Sequence, residues 1–219
     1  MMQELQIGGT SDDVFARARA RLTLDVPEGL NDPAIIPQRG DHVVDPVMRE
    51  IAAVRPIRPA AVLVPIVAHA EPTVILTQRT AHLPEHAGQV SFPGGKIDPD
   101  DATPLDAALR ETEEEIGLDR RFVEPVGYLD LYMTTLGYRI VPTVARVAPG
   151  FRLELNRSEV DDAFEVPLAF LMAEENHKLH SREWKGMTRT VYAMPFGERQ
   201  IWGVTAGILR NLYERIYMG

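Results

Sequence analysis

Hydrophobic residues follow two patterns along this chain, short apolar runs and positions at helical spacing. The two patterns predict different elements. Apolar runs rich in β-branched residues predict strands at residues 61–68, 73–77, 90–92, 123–132, 138–147, 177–184 and 188–195. Apolar positions at helical spacing predict helices at residues 14–22, 47–54, 104–116, 166–171 and 202–217. Turn residues at Glu71-Pro72 and Lys185-Gly186 predict that two pairs of these strands form hairpins.

The helix at residues 104–116 has the clearest boundary signals. Thr103 can cap its first turn, Pro104 suits the first helical position, and Gly117 suits the end. Five residues at helical spacing are expected to form its buried face. These are Leu105, Ala108, Leu109, Thr112 and Ile116.

Three glutamates of this helix should gather on a neighbouring face, because Glu111, Glu114 and Glu115 follow the i, i+3, i+4 spacing. Carboxylates about 6 Å apart repel one another by up to about 3 kcal/mol per pair where the effective dielectric constant falls near 20. Arg110 can hold one of them, but a single guanidinium cannot neutralise all three. Hard oxygen ligands without Cys or His nearby predict Mg²⁺ or Mn²⁺ rather than zinc.

Two glycines precede the helix in the segment Pro93-Gly94-Gly95, directly after the predicted strand 90–92. Without a Cβ, the backbone there can approach a ligand closely. Its N–H groups could bind phosphate oxygens, or a glycine carbonyl could join a metal shell.

The stretch from Gly95 to Leu118 resembles the Nudix box, G-x5-E-x7-R-E-U-x-E-E-x-G-U, where U is a bulky aliphatic residue. The match is carried by Arg110, Glu111, Glu114, Glu115, Gly117 and Leu118. The chain departs from the pattern at two points. Asp101 replaces the early Glu with one extra residue before Arg110, and Thr112 replaces an aliphatic residue.

The residues before the box resemble the signature of the coenzyme A diphosphatase branch of Nudix hydrolases, which also tends to carry the lengthened box. The match covers residues 76–81, 88–90 and 92–95, so Gln89 and Gly94 become candidate substrate-binding residues. Pro84 stands where the signature has Arg. Substrate contacts could then come from Arg79, His82 or His86, or the substrate could be ADP-ribose or another nucleotide-linked diphosphate.

The resemblance implies an α/β/α sandwich with a mixed sheet and metal-dependent hydrolysis of a diphosphate linked to a nucleoside. It implies that Glu111, Glu114 and Glu115 bind one to three Mg²⁺ or Mn²⁺ ions, that Gly95 supplies backbone to metal or phosphate, and that Arg110 orients a carboxylate. Glu114 or Glu115 could be the general base. A further acid, Glu159, Asp161 or Asp162, could add a ligand or serve as the base. The alternative is a Nudix-fold nucleotide sensor without catalysis, although such modules commonly lose a box carboxylate.

Composition and net charge limit the kinds of binding partner that we expect for this chain. A net charge of −9 argues against nucleic acid as the main partner, so we expect a small nucleotide substrate met by metal and a few cationic side chains. The chain has no cysteine, begins with no signal peptide, and has no apolar run long enough for a membrane, so we expect a cytoplasmic protein. Residues 1–58 are expected to form a partly helical, proline-punctuated extension, and residues 59–219 the Nudix domain. A homodimer is plausible for the family.

Overall fold

A large mixed sheet lies between two layers of helix in the computed structural model, which describes residues 10–82, 87–184 and 187–218. The helices are α1 (Ser11–Arg21), α2 (Val47–Ala53), α3 (Pro104–Ile116), α4 (Leu168–Met172) and α5 (Val204–Tyr213). The strands are β1 (Arg39–Gly40), β2 (Arg58–Val67), β3 (Thr73–Arg79), β4 (Val90–Ser91), β5 (Gly94–Lys96), β6 (Val123–Tyr128), β7 (Tyr132–Met133), β8 (Tyr138–Val147), β9 (Val160–Pro167), β10 (Lys178–Trp184), β11 (Met187–Phe196) and β12 (Arg199–Trp202). Short 3₁₀ turns occupy Asp41–Val43, Arg120–Phe122 and Glu174–Asn176, and a π-helical turn occupies Glu214–Met218.

Strand β2 is the centre of the large sheet. It pairs in parallel with β8 over ten residues and antiparallel with β3, and β3 pairs on its far side with β9. The short strands β4 and β5 pair with β3 and β2, so the segment between them crosses the sheet where these two strands separate. In the described ranges, nine strands form this sheet, while β10, β11 and β12 form a second, antiparallel one.

The side chains of β2 alternate between two hydrophobic cores. Leu63 and Val67 pack on the side that carries α3, and Val64 and Ile66 pack on the side that carries α1, α4 and α5. This alternation is the period-2 pattern of a strand buried on both faces. The α/β/α sandwich is therefore confirmed, and both predicted hairpins are present, with the turn residues 185–186 outside the described residues.

Helix α3 has the predicted bounds. The Thr103 hydroxyl accepts from the Asp106 N–H at 3.2 Å, and Gly117 ends the helix in the left-handed region at φ +66°. Its predicted buried face needs a correction. Leu105 and Leu109 are only partly buried, whereas Glu115 is buried at 4% exposure.

Three other element predictions were wrong in part. Residues 160–167 form a strand, whereas the sequence predicts no element at 160–165, where acidic residues resemble a solvated loop, and a helix from residue 166. Pairing with β3 orders these residues, so α4 begins only at Leu168. The last helix begins at Val204, not at residue 202, because residues 199–202 pair with β11. The predicted strand 123–132 is two strands, β6 and β7.

The first helix belongs to the main hydrophobic core. Val14, Phe15 and Ala18 of α1 are at most 2% exposed and share a cluster with α5 and the sheet. Arg21 donates from Nη1 to the Ile216 carbonyl at 2.6 Å, so α1 is bonded directly to the π-helical turn Glu214–Met218. The domain boundary at residue 58 stays a prediction. None of the described helices combines the length and apolar character that crossing a bilayer requires.

Candidate active site

Arg110 is at the centre of the acidic cluster on α3. Its Nε and Nη2 donate to both oxygens of Asp101 at 3.1 and 2.9 Å, in the two-point geometry that fixes a guanidinium. Its Nη1 donates to Glu111 at 3.0 Å and to Glu114 at 3.3 Å. The hydrogen bond with Arg110 lowers the pKa of Asp101 and raises that of Arg110. Arg110 therefore holds two of the three predicted ligands while Asp101 holds Arg110.

Glu115 faces away from Arg110, toward the segments that precede the helix. Its Oε2 accepts from the Gly94 N–H at 3.2 Å, and its Oε1 lies 3.6 Å from Nη1 of Arg79. Burial raises the pKa of Glu115 to about 7, against the opposing effects of the Gly94 N–H and Arg79. A cation beside this buried carboxylate would offset the cost of its desolvation.

Gly95 lies directly against the Glu111 carboxylate. A Cβ at this position would lie 2.5 Å from Cδ of Glu111, which only glycine avoids. The pairing of β5 with β2, Gly95 opposite Ala61, brings this backbone beside α3. Burial raises the pKa of Glu111, and the neighbouring charges of Glu114 and Glu159 act in the same direction.

The loop before β9 closes the site at the C-terminal end of α3. The Glu154 and Asn156 N–H groups donate to the carbonyls of Ile116 and Glu115, both at 2.9 Å. These bonds satisfy helix carbonyls that would otherwise lack partners. Glu159 follows in the same loop, and its charge contributes to the raised pKa of both Glu111 and Glu115. Glu159 thus adds a fourth negative charge that acts on two of the three predicted ligands.

The candidate substrate-binding residues lie at the end of β3 and the start of β4. Arg79 is the last residue of β3, and its backbone N–H donates to the Gln89 carbonyl at 3.0 Å. The Nε of Arg79 is buried and has no hydrogen-bond partner among the described residues. His82 is exposed three residues later. His86 and Pro84 lie outside the described residues.

The other two acids proposed from sequence point elsewhere. Asp162 pairs with Arg199 at 2.5 Å and lies opposite Gln78 in the sheet. Gln78 shares a face of β3 with Val74 and Leu76, which pack on the side of α5, so Asp162 lies on that side too. Asp161 is exposed, and its carbonyl accepts from Arg157. The structure therefore pairs Asp162 with Arg199 and leaves the Asp161 side chain exposed.

A family model described as "NUDIX domain" matches residues 57–186, more than half of the chain. The chain belongs to the Nudix family. Among curated relatives, the uncharacterized Nudix hydrolase NudL of Yersinia pestis (strain Pestoides F) is 39% identical over 159 residues, covering 73% of this chain and 80% of the relative.

Solved Nudix structures resemble the chain more distantly. A Nudix hydrolase from Alicyclobacillus acidocaldarius is 22% identical with a TM-score of 0.43, covering 55% of this chain and 83% of its own. The Nudix domain of Shewanella oneidensis NrtR, solved with ADP ribose, is 20% identical with a TM-score of 0.39, covering 53% and 77%.

Nudix hydrolases act on diphosphate bonds and generally use divalent metal ions such as Mg²⁺ or Mn²⁺. Within the ranges that the structure describes, no three acidic or histidine side chains already converge as an ion site. The donors nevertheless suit such an ion. Glu111 and Glu115 offer carboxylate oxygens whose raised pKa values reflect burial first and then the negative charges of neighbouring glutamates, and a cation relieves both effects.

Sequence reasoning missed two residues of this site. Asp101 was noted only as a departure from the box, yet it is the main partner of Arg110. Its spacing from Arg110 was the available signal. Asn156 carried no recognisable signal, because its role depends on a loop that meets α3 only in the folded chain.

Proposed function

We propose that this Nudix protein hydrolyses the diphosphate bond of coenzyme A or its derivatives, giving 4′-phosphopantetheine, acylated where the substrate is, and adenosine 3′,5′-bisphosphate. The carrying observation is the upstream signature, residues 76–81, 88–90 and 92–95, together with its contacts to the Nudix helix. Arg79 and Gly94, from its two halves, both approach Glu115. The signature therefore has a physical reason to accompany the box.

In this proposal Glu111, Glu114, Glu115 and the Gly95 carbonyl would hold the divalent ions. When bound, Mg²⁺ or Mn²⁺ would offset charge on the diphosphate oxygens and make the attacking water more acidic. Arg110 keeps Glu111 and Glu114 in place. Glu114 or Glu115 accepts the proton of the water.

In the proposal, residues of β3 and β5 that approach Glu115 contact the substrate. The Arg79 guanidinium and the Gly94 N–H would donate to phosphate oxygens, and their present contacts with the Glu115 carboxylate support this assignment. Gln89, His82 and His86 would contact the remainder of the nucleotide. Glu159 adds negative charge near the Glu111 and Glu115 ligands.

Product analysis tests the substrate. The protein is incubated with Mg²⁺ or Mn²⁺ and coenzyme A, its form lacking the 3′-phosphate, ADP-ribose, NADH and deoxynucleoside triphosphates. We expect adenosine 3′,5′-bisphosphate, released fastest from coenzyme A. Equal rates with and without the 3′-phosphate, or faster cleavage of ADP-ribose, would contradict the proposal. Binding without turnover of any compound would indicate a nucleotide sensor.

Glu114→Gln tests the catalytic assignment on the same helix. We expect kcat to fall by about 100-fold or more, because the amide can neither accept a proton nor neutralise a metal ion. The matched control is Glu113→Gln, whose side chain is exposed and pairs at 2.8 Å with Arg120, away from the other acids. It should change kcat less than about twofold. Equal effects of the two changes would remove Glu114 from the site.

A further inference from the structure

The loop before β9 contains an asparagine whose side-chain amide makes hydrogen bonds through both its oxygen and its nitrogen. The Oδ1 of Asn156 accepts from the Ser158 N–H at 3.2 Å and from the Ser158 hydroxyl at 2.6 Å. Two donors on that side require the oxygen there, so the nitrogen must face the other way. The Nδ2 donates to Oε1 of Glu159 at 3.2 Å.

The turn itself does not depend on that nitrogen. The Glu159 and Val160 N–H groups both donate to the Asn156 carbonyl at 2.9 Å, and the Ser158 bonds to Oδ1 close the same turn. The Nδ2 group therefore adds an orientation of the Glu159 carboxylate to a turn that other bonds already form. A solvated glutamate would have no need of this donor.

The same residue is fixed to the catalytic helix. The Asn156 N–H donates to the Glu115 carbonyl at 2.9 Å, and the Glu159 carbonyl accepts from the Thr80 N–H at 3.0 Å, one residue after Arg79. The loop is thereby pinned to α3 on one side and to the end of β3 on the other. Its position relative to Glu115 and Arg79 is set by backbone bonds, which leave the Asn156 amide to aim the carboxylate.

We propose that Asn156 is a positioning residue, which anchors to the C-terminal end of α3 and orients the Glu159 carboxylate in the loop that is bonded to the ends of α3 and β3. The proposal rests on the proposed diphosphate hydrolysis, in which Glu159 assists the metal-binding acids. In this role Asn156 acts through the Glu159 carboxylate rather than on the substrate or the metal ion.

The test exchanges the two side-chain chemistries. Asn156→Asp keeps the acceptor for Ser158 but repels Glu159, and Glu159→Gln keeps the hydrogen bond but removes the carboxylate. Combined, they keep the net charge of the wild type and let a new amide at position 159 donate to a new carboxylate at position 156. The double variant thus moves one negative charge by three residues and restores the contact. Ser158→Ala is the control for general loosening of the turn.

We expect Asn156→Asp to lower kcat by about tenfold and the melting temperature by about 2–4 °C. The double variant should recover the melting temperature but keep the kcat of Glu159→Gln. Its affinity for Mn²⁺, measured by electron paramagnetic resonance on the resting protein, should be about fivefold weaker than that of the wild type. Ser158→Ala should change kcat and Mn²⁺ affinity less than about twofold.

Three results would overturn the proposal: wild-type kcat and Mn²⁺ affinity in the double variant, no effect of Asn156→Asp on either quantity, or an equal effect of Ser158→Ala. If the wild type cleaves none of the diphosphates, the proposed function fails by itself. The Mn²⁺ comparison then decides the inference alone, since weaker binding in the double variant supports it and equal binding overturns it.

Discussion

At the scale of single residues, two adjacent positions require glycine for different reasons. The three atoms nearest to a Cβ on Gly95 would all belong to the carboxylate of Glu111, the movable end of a side chain. A Cβ on Gly94 would lie 2.4 Å from the Ala61 carbonyl oxygen, and Gly94 also has φ +146°. The first glycine makes room for a functional group, and the second for the sheet.

Gly95→Ala should therefore separate activity from stability. We expect the displaced Glu111 carboxylate to lower kcat by about tenfold or more, while the free energy of unfolding changes by less than about 1 kcal/mol. Gly94→Ala should cost about 2 kcal/mol or more, because backbone must move. Urea unfolding and steady-state rates measure both. A stable and fully active Gly95→Ala variant would show that Glu111 does not need its present position.

Asp101 offers a second prediction at this scale. Asp101→Ala releases Arg110 from its two-point contact and thereby loosens Glu111 and Glu114, so we expect kcat to fall by about tenfold. Asp98 is the control, since its carboxylate is 61% exposed and 3.7 Å from the same guanidinium. Asp98→Ala should alter kcat less than about twofold. Similar losses in both variants would mean that local charge, not orientation, is responsible.

At the scale of elements, the site depends on segments that meet only at the ends of α3. The glycine segment before α3 reaches its acids because β5 pairs with β2, and the loop before β9 reaches its last carbonyls because β9 pairs with β3. Helices α4 and α5 show a similar junction on the other face. His177 Nε2 is 2.6 Å from the Leu171 carbonyl, and Nδ1 lies 3.4 Å from Arg210.

This junction predicts a pH dependence of stability. Burial lowers the pKa of His177 and outweighs the hydrogen bond to the Leu171 carbonyl, which raises it; Arg210 lowers the pKa further, and Glu174 and Glu214 raise it. Neutral His177 therefore contributes stability that is present above the ordinary pKa of 6.5 and is lost as pH falls toward the lowered value. His177→Gln should flatten the fall in unfolding free energy between about pH 7 and 5.

Urea unfolding at several pH values measures that slope. His180→Gln is the control, because the His180 side chain is exposed on β10 and should leave the slope unchanged. An unchanged slope in His177→Gln would mean that the ring is not held neutral between α4 and α5.

At the scale of the whole molecule, the chain before the family match takes part in the core. Residues 57–186 match the family, yet Phe15 of α1 is 1% exposed in the same cluster as α5. Phe15→Ala should lower the free energy of unfolding by about 3–5 kcal/mol. Ala16→Ser, on the exposed side of the same helix, should change it by less than about 0.5 kcal/mol. If Phe15→Ala lowers the free energy of unfolding by less than about 1 kcal/mol, α1 does not contribute to the core.

Local signals in the sequence determined much of this protein. Thr103, Pro104 and Gly117 bounded α3 correctly, because a cap, a first-turn proline and a left-handed glycine act within one turn of the chain. The spacing of Arg110, Glu111 and Glu114 placed them within reach of one another for the same reason. Apolar residues rich in Val and Ile likewise predicted the strands that form β2 and β8.

Only the tertiary structure decided which acids meet and how they are held. Glu115 is buried and Glu114 exposed, although both are neighbours on one helix, because the segment with Gly94 covers one side only. Strand β9 exists because β3 pairs with it, and this pairing brings Glu159 to the site and Asp162 to the opposite face. These contacts join residues far apart in the chain, so they depend on packing and pairing rather than on local propensity.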